Sequence, residues 1–411
     1  DSDAKSGLQS TDSDGKSTTT QAKADKATGS SQVGSALGSS KQSTETKGVL
    51  DSKMSKLAVS GAMSDSADVP LKNTQAFIGY GAKVKAGRDV TVSAKDTTLA
   101  INANGAGAGG GAAGVAGSLG VTLLHDSAED FIANGAKVDA GRKLLVSAET
   151  GETVVNVGVT GYGGGAAGVG GSAAVNVVTS TTSAFIGDAD INQAATTSTE
   201  RSVEVTADSN SNLIAVAGSG GGAGAAAVGG VLNVNTLAKK TTALIGEGAT
   251  VAADDNVIVD ATSAQNIISA GISIQGAGAA AVGGAATVNV VANTTEAYIG
   301  SARDDATKTA AAVDSDGNVV VAASDDTLLI AVAGSGTGAG AAAVGGAVGA
   351  NVISSQTRAY VGDNSVVNAR GNSAGTTVAT GTTDNAAAGA MPSLPSGVSS
   401  AVDADRDGTN D

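Results

Sequence analysis

Ala76-Phe77-Ile78-Gly79-Tyr80-Gly81-Ala82-Lys83-Val84-Lys85-Ala86-Gly87-Arg88-Asp89-Val90-Thr91-Val92-Ser93-Ala94 decides how this chain is read, because its parts keep returning. The opening motif comes back as Asp130-Phe131-Ile132-Ala133, Ala184-Phe185-Ile186-Gly187, Ala243-Leu244-Ile245-Gly246, Ala297-Tyr298-Ile299-Gly300 and Ala359-Tyr360-Val361-Gly362. The first two steps are about 54 residues, and later steps differ by short insertions, which marks an array of repeats. Within the motif's sequel, Val84, Val90, Val92 and Ala94 alternate with Lys85, Thr91 and Ser93. Val138, Leu144, Val146 and Ala148, and later Val251, Val257, Val259 and Ala261, hold the same offsets, as half-buried strands require.

The second half of each unit is a glycine-alanine tract, as in Gly105 to Gly117 and Gly163 to Gly171, followed by a Val-Asn run. Asn176, Asn235, Asn289 and Asn351 each stand nine residues before their motif's second position, with Thr122 in that place earlier. Such asparagines could stack into a hydrogen-bonded ladder or serve as turn residues. The third and fifth copies carry insertions, Asn192 to Arg201 and Ser301 to Gly317, after which the strand pattern resumes, so both are expected to be surface loops.

With 60 glycines, few aromatics and three prolines, the core must be thin and aliphatic. Glycines read as corners imply strands of four to six residues and two or three coils per unit. The expected fold is all-β, a parallel β-solenoid of about six repeat units. Six such units predict a rod on the order of 60 to 85 Å long. The expected organisation is a Ser/Thr/Lys-rich flexible or inserted segment over 1–56, the solenoid over 57–379 and an acidic tail over 380–411, with Leu57 to Ala62 resembling the end of an earlier unit. The start at Asp1 without Met reads as a piece of something longer, with any export signal or anchor outside it.

The formal net charge of −15 argues against nucleic acid as a partner, since phosphate binding needs a basic surface. The absence of cysteine excludes disulfides and thiolate chemistry. His125, the single histidine, cannot form a His-paired nucleophile or a His cluster and is expected at a surface or turn.

The Thr74 to Gly79 start, the run from Gly81 to Ala94 and the glycine-rich block leading to Ala174-Val175-Asn176-Val177 resemble the repeats of long bacterial surface proteins. These are the filamentous-haemagglutinin-like adhesins and the leukotoxin-type repeat proteins. The resemblance spans about 74–362 and implies a right-handed β-helix in an extracellular or bacterial cell-surface adhesin. A secretion domain near the N-terminus, typical of such proteins, has no counterpart here.

The most specific chemical motif is Asp403-Ala404-Asp405-Arg406-Asp407-Gly408-Thr409-Asn410-Asp411. Acids at positions one, three and five, glycine at six and an acid at nine fit a loop that wraps oxygens around Ca2+. Asp403, Asp405, Asp407, Thr409 and Asp411 are the candidate metal ligands, against the plain reading of an acidic solvated tail. Asp12 to Gly15 and Asp314 to Gly317 are shorter echoes, expected to be turns. The adjacent aspartate pairs Asp254-Asp255, Asp304-Asp305 and Asp325-Asp326 are the carboxylate candidates for a polysaccharide-acting enzyme. Neighbours on a strand face opposite ways, however, and the motif aromatics are expected in the core.

The leading expectation is a non-enzymatic structural or adhesive segment, a rod, stalk or filament subunit, self-associating into fibres or a longer solenoid. A host or cell-surface glycan or protein is its expected partner. The uncharged tracts Ile267 to Ala292 and Leu328 to Ile353 keep a membrane-active segment as the alternative, although membrane contact is not expected from stretches this rich in glycine.

Overall fold

Two long strands joined at a glycine-alanine corner make up most of every repeat. The computed structural model describes residues 9–11, 17–19, 59–68, 71–194, 200–301 and 309–371. The chain divides into two units, 1–49 and 50–411. In the first, Gln9–Thr11 pairs antiparallel with Ser17–Thr19. The second holds the repeats, built as three parallel sheets.

Sheet I contains Val90–Gly110, Lys143–Gly164, Ser202–Ala223, Val257–Ala277 and Val319–Ala339. Sheet II contains Ala113–Ile132, Ala167–Ile186, Ala226–Ile245, Ala280–Ile299 and Ala342–Val361. Val59–Asp68 and Leu71–Ile78 together pair with its first long strand. Sheet III is short: Lys83–Ala86, Lys137–Ala140, Asp190–Ile191, Thr250–Ala253, Ala312–Ser315 and Val366–Ala369. One strand from III, I and II in succession closes a coil, numbered 1 to 5 from Lys83. Each coil lies in register on the last, with partners 54, 59, 54 and 62 residues apart in the successive steps.

The parallel β-solenoid expected from the repeat is therefore present, but its coil differs. Each unit makes one coil, not two or three, and the long strands run 20 to 22 residues, not four to six. The glycines account for the difference. In the tracts they are extended, and positive φ occurs instead at Gly81, Gly135 and Gly248 in the turn before the short strand, with Asn364 (φ 59) in the same place. At about 3.3 Å per residue the long strands reach about 70 Å, while five coils at about 4.8 Å stack only about 20 to 25 Å. The repeat unit is a broad slab, and the 60 to 85 Å rod is corrected accordingly.

The slab has two ends. At the root, where the short strands close the coil, the valine offsets point inward: Val138, Leu144, Val146 and Ile186 are fully buried, with Val203, Val257 and Ile299 above them. Each such side chain contributes about 1.5–3 kcal/mol of transfer free energy. Beyond the middle, sheets I and II close into a thin arm ending at the Gly-Ala corners, such as Gly165-Ala166. There the sheets approach too closely for side chains. A Cβ on Gly164 would fall 1.8 Å from the carbonyl oxygen of Ala167, and one on Gly170 would fall 2.0 Å from the ring of Tyr162. Even the corners are hydrogen-bonded coil to coil, Gly165 N–H to Gly110 and Ala166 N–H to Ala112.

The first insertion follows the short strand Asp190–Ile191, whereas the second, expected as a loop over Ser301 to Gly317, contains the sheet III strand Ala312–Ser315; residues 195–199 and 302–308 lie outside the described residues. Arg201 closes the base of the first: Nη1 donates to the carbonyls of Asn192 (2.9 Å) and Ala194 (3.1 Å), and Nη2 to Asp254 (3.1 Å). The uncharged tracts Ile267–Ala292 and Leu328–Ile353 each run through two strands and a corner, and no helix among the described residues is long and apolar enough to cross a membrane.

Candidate functional site

Inside the slab the asparagines form the ladder that their spacing allowed. Asn156 of sheet I donates to Asn176 (2.8 Å), Asn176 to Asn235 (2.7 Å), Asn235 to Asn289 (2.7 Å) and Asn289 to Asn351 (2.8 Å). Asn176 and Asn289 are fully buried. Asn156 bonds across its own coil, and from Asn176 onward each amide donates to its counterpart in the next coil, so the chain of donors runs along the stack and satisfies groups that burial would otherwise penalise.

Nearer the root lies a charged belt. Glu152 accepts from Ser180 and Ser211, and Lys239 Nζ stands 3.9 Å from its carboxylate. Burial depresses the Lys239 ammonium to about 8, against the pull of Glu152. Asp126 in the same belt is raised to about 6, first by burial, with Asp96 and Glu152 adding repulsion and Thr98 opposing. Asp130 is more unusual. It occupies the motif position held by Ala184, Ala243 and Ala297, is fully buried, accepts from the Ala94 N–H, and is raised to about 7 by burial.

The motif aromatics correct the expectation that they belong to the core. They stand on the outer face of sheet II, because the inward parity is taken by the Ala and Ile on either side. Phe77 and Phe131 stack at 5.1 Å, Phe131 and Phe185 at 4.9 Å, and Tyr298 and Tyr360 at 4.9 Å, all within 7° of parallel. Leu244 interrupts the row in coil 3. Burial in the row pushes the Tyr298 hydroxyl up to about 12. Neighbours cover the faces of the inner rings, so the row does not offer open ring faces to a sugar.

The outer faces of the root carry ion pairs that join adjacent coils: Lys95–Glu149 (2.6 Å), Lys137–Asp190 (2.7 Å), Arg142–Asp89 (2.6 Å) and Arg358–Glu296 (3.2 Å). Glu149, Asp208 and Asp260 add an acidic patch on sheet I, where burial raises Asp260 to about 6. The arm is different. On sheet II of coils 1 to 5, the outward positions from the corner to Leu123, Val177, Thr236, Val290 and Val352 are Gly, Ala, Val and Leu, with Thr236 the single polar residue. Leu119 (42%), Val169 (44%), Val228 (46%) and Val282 (45%) are all substantially exposed. Sheet I mirrors this with Ile101, Val159, Ile272 and Ile274.

Of the residues singled out in the sequence, Asp403, Asp405, Asp407, Thr409 and Asp411 lie outside the described residues, as do Asp12 to Gly15 and Asp304-Asp305. Of the Asp314 to Gly317 echo, expected to be a turn, Asp314 instead lies in the short strand Ala312–Ser315 and Asp316 in the bend that follows; both pair with Arg370 of the next coil. Asp254 is held by Arg201, while Asp325 faces inward beneath Asn293 and Asp326 does not join it. Among the described residues, neither Asp254-Asp255 nor Asp325-Asp326 is brought together as a couple. His125 is exposed on sheet II. Among the described residues no group of three or more His, Asp or Glu is arranged to hold a metal ion.

The arm's outer face is what sequence reasoning missed. Its signal is present in runs such as Val175-Asn176-Val177, where the polar residue is the inward one and the valines flank it on the outside. The parallel β-solenoid is thus the class that the fold defines. Compared with protein-family models, with curated proteins and with solved structures, the chain gives no match.

Proposed function

We propose that this chain is a non-enzymatic structural and adhesive segment of a secreted or surface bacterial protein, working as a self-associating filament subunit. The observation that carries the reading is the unbroken register of five coils, in which repeats differ only by insertions at root corners. Fifty-four or more residues per 4.8 Å rise make an inefficient spacer and a wide display surface. The repeats thus serve as a broad body and not as a slender stalk. Contact with a host-surface glycan or protein would fall to the two inserted stretches, 195–199 and 302–308, whose flanking residues border the short strands.

The test is adhesion of beads coated with the chain to cultured epithelial cells, with and without residues 195–199 and 302–308. The expected result is unchanged circular dichroism and melting but at least tenfold fewer bound beads. Equal adhesion by both forms overturns the adhesive part. Calcium at Asp403, Asp405, Asp407, Thr409 and Asp411 belongs to the same proposal and rests on the ligand spacing. Calorimetric titration with Ca2+ should show binding that Asp405→Ala weakens at least tenfold, and the absence of heat removes the cation.

A further inference from the structure

The arm hides little apolar surface within itself. Its interior is mainly glycine, alanine and polar groups, with Tyr162 filling the space against Gly170 and Gly221 and Val231 packed among Ala174, Ala217 and Ala285, while its other branched aliphatics stand outside. A patch of this kind on a folded protein marks an interaction surface. We propose that the outer face of the sheet II arm binds the same face of a second copy of this chain, forming a two-fold lateral dimer. The inference rests on the structural reading above and names the surface through which the body self-associates.

Three features of the face fit a second copy. The first is shape. The row through Val169, Val228 and Val282 is a continuous ridge, and two residues further along each strand the row through Gly171, Gly230 and Gly284 is a continuous groove. A two-fold axis along the rows, midway between ridge and groove, seats each copy's ridge in the other's groove, as an isologous interface requires. The strands then cross antiparallel while both stacks keep the same direction, so the dimer still permits stacking along the axis.

The second is area. About ten residues along the strands and five coils across give a face on the order of 800 Å² per copy, which matches the usual requirement of about 800 Å² per partner. The third is charge. Within this face coils 1 to 5 carry no ionisable side chain, and the acidic residues Glu149, Asp208 and Asp260 lie on sheet I, on the opposite side of the slab. A net charge of −15 on each copy therefore opposes association only at long range, and salt screens that opposition.

Sedimentation equilibrium of the full chain between 1 and 100 µM tests the proposal, beside Val228→Lys and, as a control on the other sheet, Val157→Lys. The expected result is a dimer for the unaltered chain and for Val157→Lys, and a dissociation constant raised at least 100-fold for Val228→Lys. Because a lysine could disturb folding, Leu232→Cys gives a second reading in a chain that has no cysteine of its own. Its thiol should react with maleimide at least tenfold more slowly at 100 µM than at 1 µM.

A monomer throughout, or a dimer lost with Val157→Lys and kept with Val228→Lys, overturns the proposal. So does a monomer that floats with phosphatidylcholine vesicles, which would give the face to lipid. Any of these, with cell adhesion through the loops intact, overturns the dimer and leaves the structural and adhesive reading standing. A dimer with no loop-dependent adhesion does the reverse.

Discussion

Root and arm are built from the same strands, yet they solve burial in opposite ways. The root puts Val, Ile and Leu inside and coil-to-coil ion pairs outside, as a water-soluble fold does. The arm puts Asn, Ser and glycine inside and, Val231 apart, its branched aliphatics outside. What changes between them is the distance between sheets I and II. Where the short strands hold the sheets apart, a side-chain core fits. Where the sheets close to glycine contact, it does not, and hydrogen bonds along the stack take its place. Stability should thus reside in packing at the root and in polar continuity in the arm.

The largest expected effect comes from breaking the root. Ile186→Ala removes a fully buried side chain and should cost about 2–5 kcal/mol in equilibrium urea unfolding. In the arm, a truncation smaller by one methylene on the outer face, Val228→Ala, should cost less than about 1 kcal/mol under monomeric conditions.

Breaking the ladder should come next. Asn235→Ala leaves the amides of Asn176 and Asn289 without their partner and should cost about 1–3 kcal/mol by the same assay. Asn235→Asp should be no substitute, because a carboxylate cannot donate onward to Asn289. Gly170→Ala probes the closeness of the sheets in the arm and should cost about 1–3 kcal/mol through the clash with Tyr162.

Asp130 sharpens the contrast from the other side, as an acid within the root's alanine row. Its folded-state pKa of about 7 lies above the ordinary value near 4, so the unfolded chain releases its proton first. Its stability contribution is complete below about pH 4 and is lost as pH rises toward 7. Asp126 and Asp260, each raised to about 6, act in the same direction, whereas Lys239, depressed to about 8, costs stability below that pH and ceases to do so above about 10. Asp130→Ala should therefore raise stability by about 1–3 kcal/mol at pH 8 and by much less at pH 4.5, read from melting curves at the two values. The smallest effect belongs to the exposed ion pairs. Glu149→Gln should cost no more than about 0.5 kcal/mol, and 0.5 M NaCl should erase the difference.

The root was legible in the sequence because alternating Val and polar residues have one sensible parity. Val138, Leu144, Val146 and Ala148 point where their period places them. The asparagine ladder was legible as a spacing, since Asn176, Asn235, Asn289 and Asn351 keep one offset from the motif. Coil size was not. In Gly163 to Gly171 the same residues serve a corner and a close sheet contact, and composition alone does not separate the two. Nor was the parity of the arm, where Val175 and Val177 outnumber Asn176 and draw the reading inward. The aromatics failed for a related reason: Phe131 lies between inward Asp130 and Ile132, and large apolar size suggested burial where alternation placed it outside.

The account depends on one coil per repeat, and disulfide trapping tests that directly in a chain without cysteine. Ser127 and Thr181 are register partners on neighbouring strands of sheet II, so Ser127→Cys with Thr181→Cys places two thiols on strands about 4.8 Å apart, within disulfide reach. Rapid, near-complete oxidation to an intramolecular disulfide is the predicted result, with Ser127→Cys and Thr242→Cys, two coils apart, remaining reduced. If the 127–181 pair stays reduced in folded protein, each repeat holds more than one coil, and the slab, its arm and the ladder within it are contradicted together.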